Sequence, residues 1–185
     1  MNDICTIARD KVVVRALEKA DLQRYRAIRL NALQRAPMSF GSTFEEENAY
    51  SDTIFARRLE KVDGNAIFGA FHGEELLGIA GHHRHERRTE RHRGTLASVY
   101  VEPQARGLKL GEALVQKVID HAARHVVVLD ARVVATNEAA KRIYYALGFK
   151  TCGVERKALL VQGQYLDQEL IYIDFSDPAW KDKLG

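Results

Sequence analysis

The stretch VYVEPQARGLKLGEAL, residues 99–114, decides the fold of this chain. It starts as a β-branched strand, passes through a short loop with Gly107 and Gly111, and opens a helix with the apolar stripe Leu110, Ala113, Leu114 and Val118. Such a loop presents unpaired backbone amides and the positive end of the helix dipole to one point, and Arg106 and Lys109 add positive charge. The pattern predicts a phosphate-binding loop, with a purely structural loop as the alternative because glycines are common at helix starts.

Periodicity on both sides of this stretch predicts a mixed α/β fold. Strands are predicted over residues 11–16, 66–71, 76–80, 95–101, 126–134, 149–161 and 165–175, and helices over 21–37, 49–61, 110–118 and 140–147. The strand, helix, strand order from 95 to 134 is a crossover, and ligands tend to bind beyond the carboxyl ends of such strands. We therefore expect an α/β protein (α+β, mixed sheet) whose chemistry lies after Val101.

Length and composition narrow the class of protein. A chain of 185 residues with 46% apolar and 29% charged residues has the size and character of one globular domain, residues 1–185. It contains no uncharged apolar run long enough to span a membrane, so we expect a cytoplasmic protein. Two cysteines, Cys5 and Cys152, are too few for a disulfide framework.

The net charge of +3 comes from one segment, HHRHERRTERHR at residues 82–93, in which five arginines face two glutamates. We interpret this segment as a solvated hairpin turn. Its histidines, His82, His83, His85 and His92, lack the spacing of a zinc site, so no metal is expected. Contact with RNA or an acidic partner is an alternative, but no aromatic residue is present to stack on a base, and nucleic acid is not an expected partner.

Three segments, taken in order, resemble the GNAT superfamily of acetyl-CoA-dependent N-acetyltransferases. They are Val99-Tyr100-Val101, which resembles the central strand, RGLKLG at 106–111, which resembles the pyrophosphate loop, and NEAAKRIYYALGF at 137–149. The resemblance covers nearly the whole chain and implies a central, mostly antiparallel sheet of about seven strands, splayed in the middle and flanked by about four helices. It also implies acetyl-CoA as cosubstrate and a primary amine, on a small molecule or on a protein or peptide, as acceptor.

The resemblance implies which residues contact the cofactor. These are Val99, Tyr100, Val101, Arg106, Gly107, Leu108, Lys109, Leu110, Gly111, Glu112 and Asn137. Lys109 departs from the family pattern, which usually has glycine there. A side chain at a position that needs positive φ costs about 1 kcal/mol, but the amide is retained and a lysine charge suits phosphate, so we expect binding to persist, with a merely solvated lysine as the alternative.

Tyr144 is the candidate general acid. Aminolysis of a thioester expels a thiolate, and a phenol with a pKa near 10 can protonate it. Its helical position also suits a core tyrosine, whereas Tyr145 lies about 100° away from the apolar stripe. Asn137 is equally suited to capping this helix and to contacting the cofactor.

The general base is not identified by the sequence, because the strand 95–101 contains no carboxylate or histidine. Glu45, Glu46 and Glu47 are candidates, although Thr43 and Glu46 also fit a capping box. Without an identified base, a non-catalytic CoA-sensing or protein-binding module on the same fold is the alternative function. The oligomeric state is open, with a homodimer among the alternatives.

Overall fold

The computed structural model describes residue 7 and residues 9–181 as a seven-stranded sheet with helices on both faces. The strands are β1 (Val12–Ala16), β2 (Ala66–His72), β3 (Glu75–Arg84), β4 (Arg93–Val101), β5 (Val128–Val134), β6 (Lys150–Val161) and β7 (Gln164–Asp174). The helices are α1 (Leu22–Arg35), α2 (Phe44–Asn48), α3 (Asp52–Arg58), α4 (Leu110–Ala122), α5 (Glu138–Ala146) and α6 (Pro178–Lys181). The strand order is β1-β2-β3-β4-β5-β7-β6, antiparallel except for the β4–β5 pair, so the expected mixed fold is confirmed.

Two apolar clusters hold the helices to opposite faces of the sheet. On one face, α4 buries Leu114, Val115 and Val118 against strands β2 to β5 and β7. On the other face, α1 and α3 bury Tyr25 and Phe55. The central strands are covered on both sides, which explains why β2 is buried at every position but the last and β3 is buried from Leu76 to His82.

The sheet opens between β4 and β5. The parallel pairing runs from Arg93 opposite Val128 to Leu96 opposite Ala131 and goes no further. At the same point Ser98 has φ 57°, and the register between β3 and β4 shifts. This bulge bends β4 away from β5 and leaves a gap in the middle of the sheet, which is the splay that the resemblance implied.

Two predicted segments are corrected by the structure. The single helix expected over 49–61 is two short helices, α2 and α3, because the capping box at Thr43 starts a helix earlier and Ser51 begins a second one. The basic segment is not all turn, since β3 continues to Arg84. His82 is fully buried on that strand, where its Nδ1 contacts the carbonyl oxygen of Gly64 at 2.8 Å and burial lowers its pKa to about 4.

Two smaller observations concern the chain as a whole. Cys152 is an exposed free cysteine, and Cys5 lies outside the described residues. Of the helices that the structure describes, none combines the length and apolar character that crossing a bilayer requires.

Candidate active site

A cleft of about 620 Å³ lies between the splayed strands β4 and β5 and the helices α4 and α5. All the residues that the resemblance assigned to the cofactor line it, except Leu108, whose side chain packs against the core beneath α4. Tyr144 lines it as well. The three sequence segments therefore meet at one place, although they are spread over residues 99 to 144.

The strand wall of the cleft offers backbone hydrogen bonds. The amide of Glu102 donates to the carbonyl oxygen of Leu77 in β3 at 2.8 Å. Backbone groups alternate along a strand, so those of Val99 and Val101 face away from β3 and toward the gap left by β5. An extended, amide-containing ligand can pair with this edge as an additional strand would.

The loop wall of the cleft is built around a left-handed residue. Lys109 has φ 58° and ψ 23° and stands at the N-cap of α4, without a side-chain capping bond. Gly107 also has positive φ, at 83°, and a Cβ there would meet nothing within 4 Å. Together these two turns aim the first amides of α4 into the cleft beside Arg106.

These features fit acetyl-CoA. The unpaired edge of β4 matches the amides of its pantetheine arm, and the N-terminus of α4 with Arg106 and Lys109 matches its pyrophosphate. Lys109 adopts the conformation that favours glycine, so the strain expected from the sequence is present.

Tyr144 projects from α5 into the cleft. It is 7% exposed and packs against Phe149, with ring centroids 5.6 Å apart. Burial raises the pKa of Tyr144 to about 12, and within the described residues no hydrogen bond holds its hydroxyl. The phenol therefore keeps its proton at neutral pH and can give it to a ligand atom in the cleft.

Asn137 is the N-cap of α5. Its side-chain oxygen accepts a hydrogen bond from the amide of Ala140 at 3.1 Å. Because Asn137 also lines the cleft, its amide NH₂ group is left for a ligand.

The three glutamates considered as general base, Glu45, Glu46 and Glu47, lie in different environments. Glu46 completes the capping box with Thr43, as the structural interpretation expected. Glu47 is buried between Arg29 and Arg58, with oxygen–nitrogen distances of 2.6 Å to each. Burial by itself would raise the pKa of Glu47, but the two arginines outweigh it and lower the pKa, so this carboxylate is a poor proton acceptor. Glu45, on the first turn of α2, is not among the residues that line the cleft.

The resemblance implied that the stretch 38–47 forms one wall of the acceptor pocket, but the sequence did not single out the individual residues of the far wall of the cleft. Ala36, Ser39 and Phe40, which follow α1, and Arg132 on β5 also line it. Arg132 is 62% exposed at its side chain and pairs with Glu155 at 3.4 Å. Arg132 and Asp130 are the two charged residues of β5, and this was the available signal for Arg132, whereas no local sequence pattern places the end of α1 beside β4.

Comparison with known proteins agrees with this geometry. The family model described as "Acetyltransferase (GNAT) domain" matches residues 14–170. A curated relative, N-alpha-acetyltransferase RimI of Mycobacterium tuberculosis, is 27% identical over 92% of this chain and 97% of its own length.

Solved structures show the same fold. The yncA structure from Salmonella typhimurium, determined with its cofactor acetyl-CoA, has a TM-score of 0.80 and 20% identity, covering 90% of this chain and 95% of that one. Ribosomal-protein-alanine N-acetyltransferase from Brucella melitensis has a TM-score of 0.74 and 25% identity, covering 88% and 99%. The chain thus belongs to the GNAT family and is an acetyl-CoA-dependent N-acetyltransferase.

Proposed function

We propose that the protein transfers the acetyl group of acetyl-CoA directly to a primary amine, with Tyr144 as the general acid. The acceptor is a small molecule or the free amine of a protein or peptide. The chain 1–185 acts as one domain in the cytoplasm, and a homodimer remains the alternative to a monomer. The observation that supports this proposal best is the convergence of an unpaired strand edge, a helix N-terminus and a free phenol in one cleft.

Each part of the cleft has a role in this proposal. Bound acetyl-CoA supplies a thioester that an amine can cleave. The backbone of Val99 and Val101 holds the extended arm, and Arg106, Lys109 and the first amides of α4 hold the pyrophosphate. A backbone N–H of β4 near Val101 stabilises negative charge on the acetyl oxygen. Tyr144 protonates the departing sulfur, and holding both reactants together accounts for much of the rate.

The relatives suggest where to look for the acceptor. Two of them are named for N-terminal or ribosomal-protein acetylation, so peptides with a free α-amino group are the first acceptors to test. Polyamines, aminoglycosides and free amino acids complete the panel.

Two measurements test the proposal. Millimolar CoA should raise the melting temperature, because a ligand that binds the folded state alone stabilises it. Thiol release from acetyl-CoA, measured over the panel of amines, should exceed the rate without acceptor. No thermal shift would exclude CoA binding, and a shift without thiol release would favour the non-catalytic CoA-sensing module.

A further inference from the structure

An amine acceptor has to lose a proton before it can attack. An alkylammonium group has a pKa near that of lysine, about 10.4, and is almost fully protonated at pH 7. Tyr144 cannot accept this proton, because it begins the reaction protonated. A second titratable group is needed on the acceptor side of the sheet, the face that packs against α1, α2 and α3.

The carboxylates around the central strands are already held by protein donors. Glu47, Glu102 and Asp130 each accept side-chain hydrogen bonds of 3.3 Å or less from two different residues. The donors are Arg29 and Arg58 for Glu47, Asn31 and Tyr100 for Glu102, and Arg93 and Thr95 for Asp130. The two arginines lower the pKa of Glu47 and make it a weaker base, and both carboxylate oxygens of Glu102 and of Asp130 are already occupied by donors.

His83 stands on the acceptor face at the point where the sheet opens. It lies on β3 opposite Thr95 of β4, one residue pair before the parallel pairing of β4 and β5 ends. A Cβ built on Gly81 would lie 3.3 Å from Nε2 of His83 and 3.5 Å from the carbonyl oxygen of Ala97. The imidazole therefore lies near Ala97, which lines the cleft, although His83 itself is not among the lining residues.

The space above Gly81 is partly filled by Ile67, whose Cδ1 would lie 2.7 Å from a Cβ at Gly81. Gly81 and Ala97 are directly paired on the two strands, with His83 on one side of them. Tyr100, on the other side, turns its ring into the apolar cluster beneath α1. An amine approaching from the cleft passes the bulge at Ser98 and Ala97 before it reaches the imidazole, and the side chain of Ile67 has to shift to admit it.

The surroundings keep the imidazole neutral. His83 is half-buried, and burial first, then the positive charges of Arg58 on α3 and Arg29 on α1, lower its pKa below the ordinary 6.5. Glu47 of α2 is bound to both arginines, which leaves one positive charge in excess beside the ring. Asp130 on β5, one strand beyond Thr95, is a carboxylate across the sheet and pairs with Arg93.

His83 also differs from its neighbours in having free ring nitrogens. His82, His85, His121 and His125 each bind a protein oxygen through a ring nitrogen, and His83, within the described residues, does not. A neutral histidine without a protein partner, placed beside an opening in the sheet, has the properties of a general base.

We propose that His83 is the general base that deprotonates the amine acceptor, an inference that rests on the proposed acetyl transfer. Nε2 of His83 takes one proton from the ammonium group. The freed lone pair forms the C–N bond as the C–S bond breaks, and the sulfur takes the proton of Tyr144. The second proton lost by the nitrogen restores Tyr144 through solvent, and His83 releases its proton to water, so one proton is produced for each acetyl group transferred.

The test is the pH dependence of kcat for thiol release with the best acceptor of the panel. For the wild type, kcat should rise through a midpoint below pH 6.5 and then level off. In His83→Gln, kcat at pH 7 should fall at least about twentyfold, within the range of general base catalysis, and should keep rising toward pH 9.5 as the amine loses its proton unaided. The CoA-induced thermal shift should equal that of the wild type.

His85→Gln is the matched control, because His85 lies two residues further along the chain, just past the end of β3, and its ring contacts Thr95 at 3.0 Å. It should keep the wild-type profile within about twofold. A profile that changes in Glu102→Gln and not in His83→Gln would overturn the assignment. A wild-type kcat that is flat from pH 5 to 8 would also overturn it, whether or not the variants fold. Absence of wild-type thiol release would instead contradict the proposed function itself.

Discussion

The two faces of the sheet present opposite kinds of site. On the α4–α5 face, the cleft is made mainly of backbone: the edge of β4, the left-handed turn at Lys109 and the start of α4. On the α1–α3 face, the cleft is bordered by Ala36, Ser39 and Phe40, and a separate charge cluster of Arg29, Glu47 and Arg58 lies near His83. A cosubstrate shared by a whole family suits a backbone site, and an acceptor that varies suits a side-chain site.

This difference makes the two faces sensitive to different changes. Substitutions on the α4–α5 face should alter binding and turnover while leaving the fold intact. Substitutions in the cluster of Arg29, Glu47 and Arg58 should mainly lower the stability of the fold, because each charge there is paired with an opposite charge. The predictions below test this contrast.

The largest effect is expected at Glu47. In Glu47→Gln two buried or half-buried guanidinium groups lose their counter-charge, and the free energy of unfolding in urea should fall by about 3 kcal/mol. Glu138→Gln is the control, because Glu138 is 71% exposed at its side chain and pairs with Lys141 at the surface, where the expected change is at most about 0.5 kcal/mol.

The same substitution should alter the acid stability of the protein. The pKa of Glu47 is lower in the folded state than its ordinary 4.5, so its contribution is complete above pH 4.5 and is lost as pH falls through the folded value. Between pH 7 and pH 3 the wild type should therefore lose more stability than Glu47→Gln. Equal losses in the two proteins would show that Glu47 is not charged in the folded state.

The residues of the α4–α5 face could be predicted from the sequence better than those of the α1–α3 face, for a physical reason. The phosphate loop, Tyr144 and Asn137 lie in short segments whose glycines, capping residue and helical period act over a few residues, and all of them line the cleft. Glu47 and Arg29 are 18 residues apart, and His83 meets them only because β3 passes beneath α1 and α3. Local sequence periodicity does not predict such long-range contacts. His83 was not singled out, because the basic segment 82–93 was interpreted as a turn.

The second effect is expected at Tyr144. Tyr144→Phe keeps the packing against Phe149 and removes the group proposed to protonate the thiolate, so kcat should fall at least about tenfold with little change in the KM for acetyl-CoA. Tyr145→Phe is the control on the same helix. Its hydroxyl binds Glu169 and Thr151 instead of facing the cleft, so it should lose about 1 kcal/mol of stability and keep kcat. Full kcat in Tyr144→Phe, or a larger loss in Tyr145→Phe, would contradict the assignment of the acid.

The smallest effect is expected at Lys109, where two consequences of one substitution can be separated. Lys109 has φ 58°, so Lys109→Gly removes the strain of a Cβ in the left-handed region but adds freedom to the unfolded chain, and the net gain in stability should be about 0.5 kcal/mol. The loop amide is unchanged, so CoA should still bind. Loss of the lysine charge should weaken CoA binding a few-fold at low salt. At high salt the difference in CoA affinity between the variant and the wild type should disappear, because salt screens the charge. Titration of CoA by calorimetry at two salt concentrations measures this, and equal affinities of the two proteins at both concentrations would place the Lys109 charge away from the phosphates.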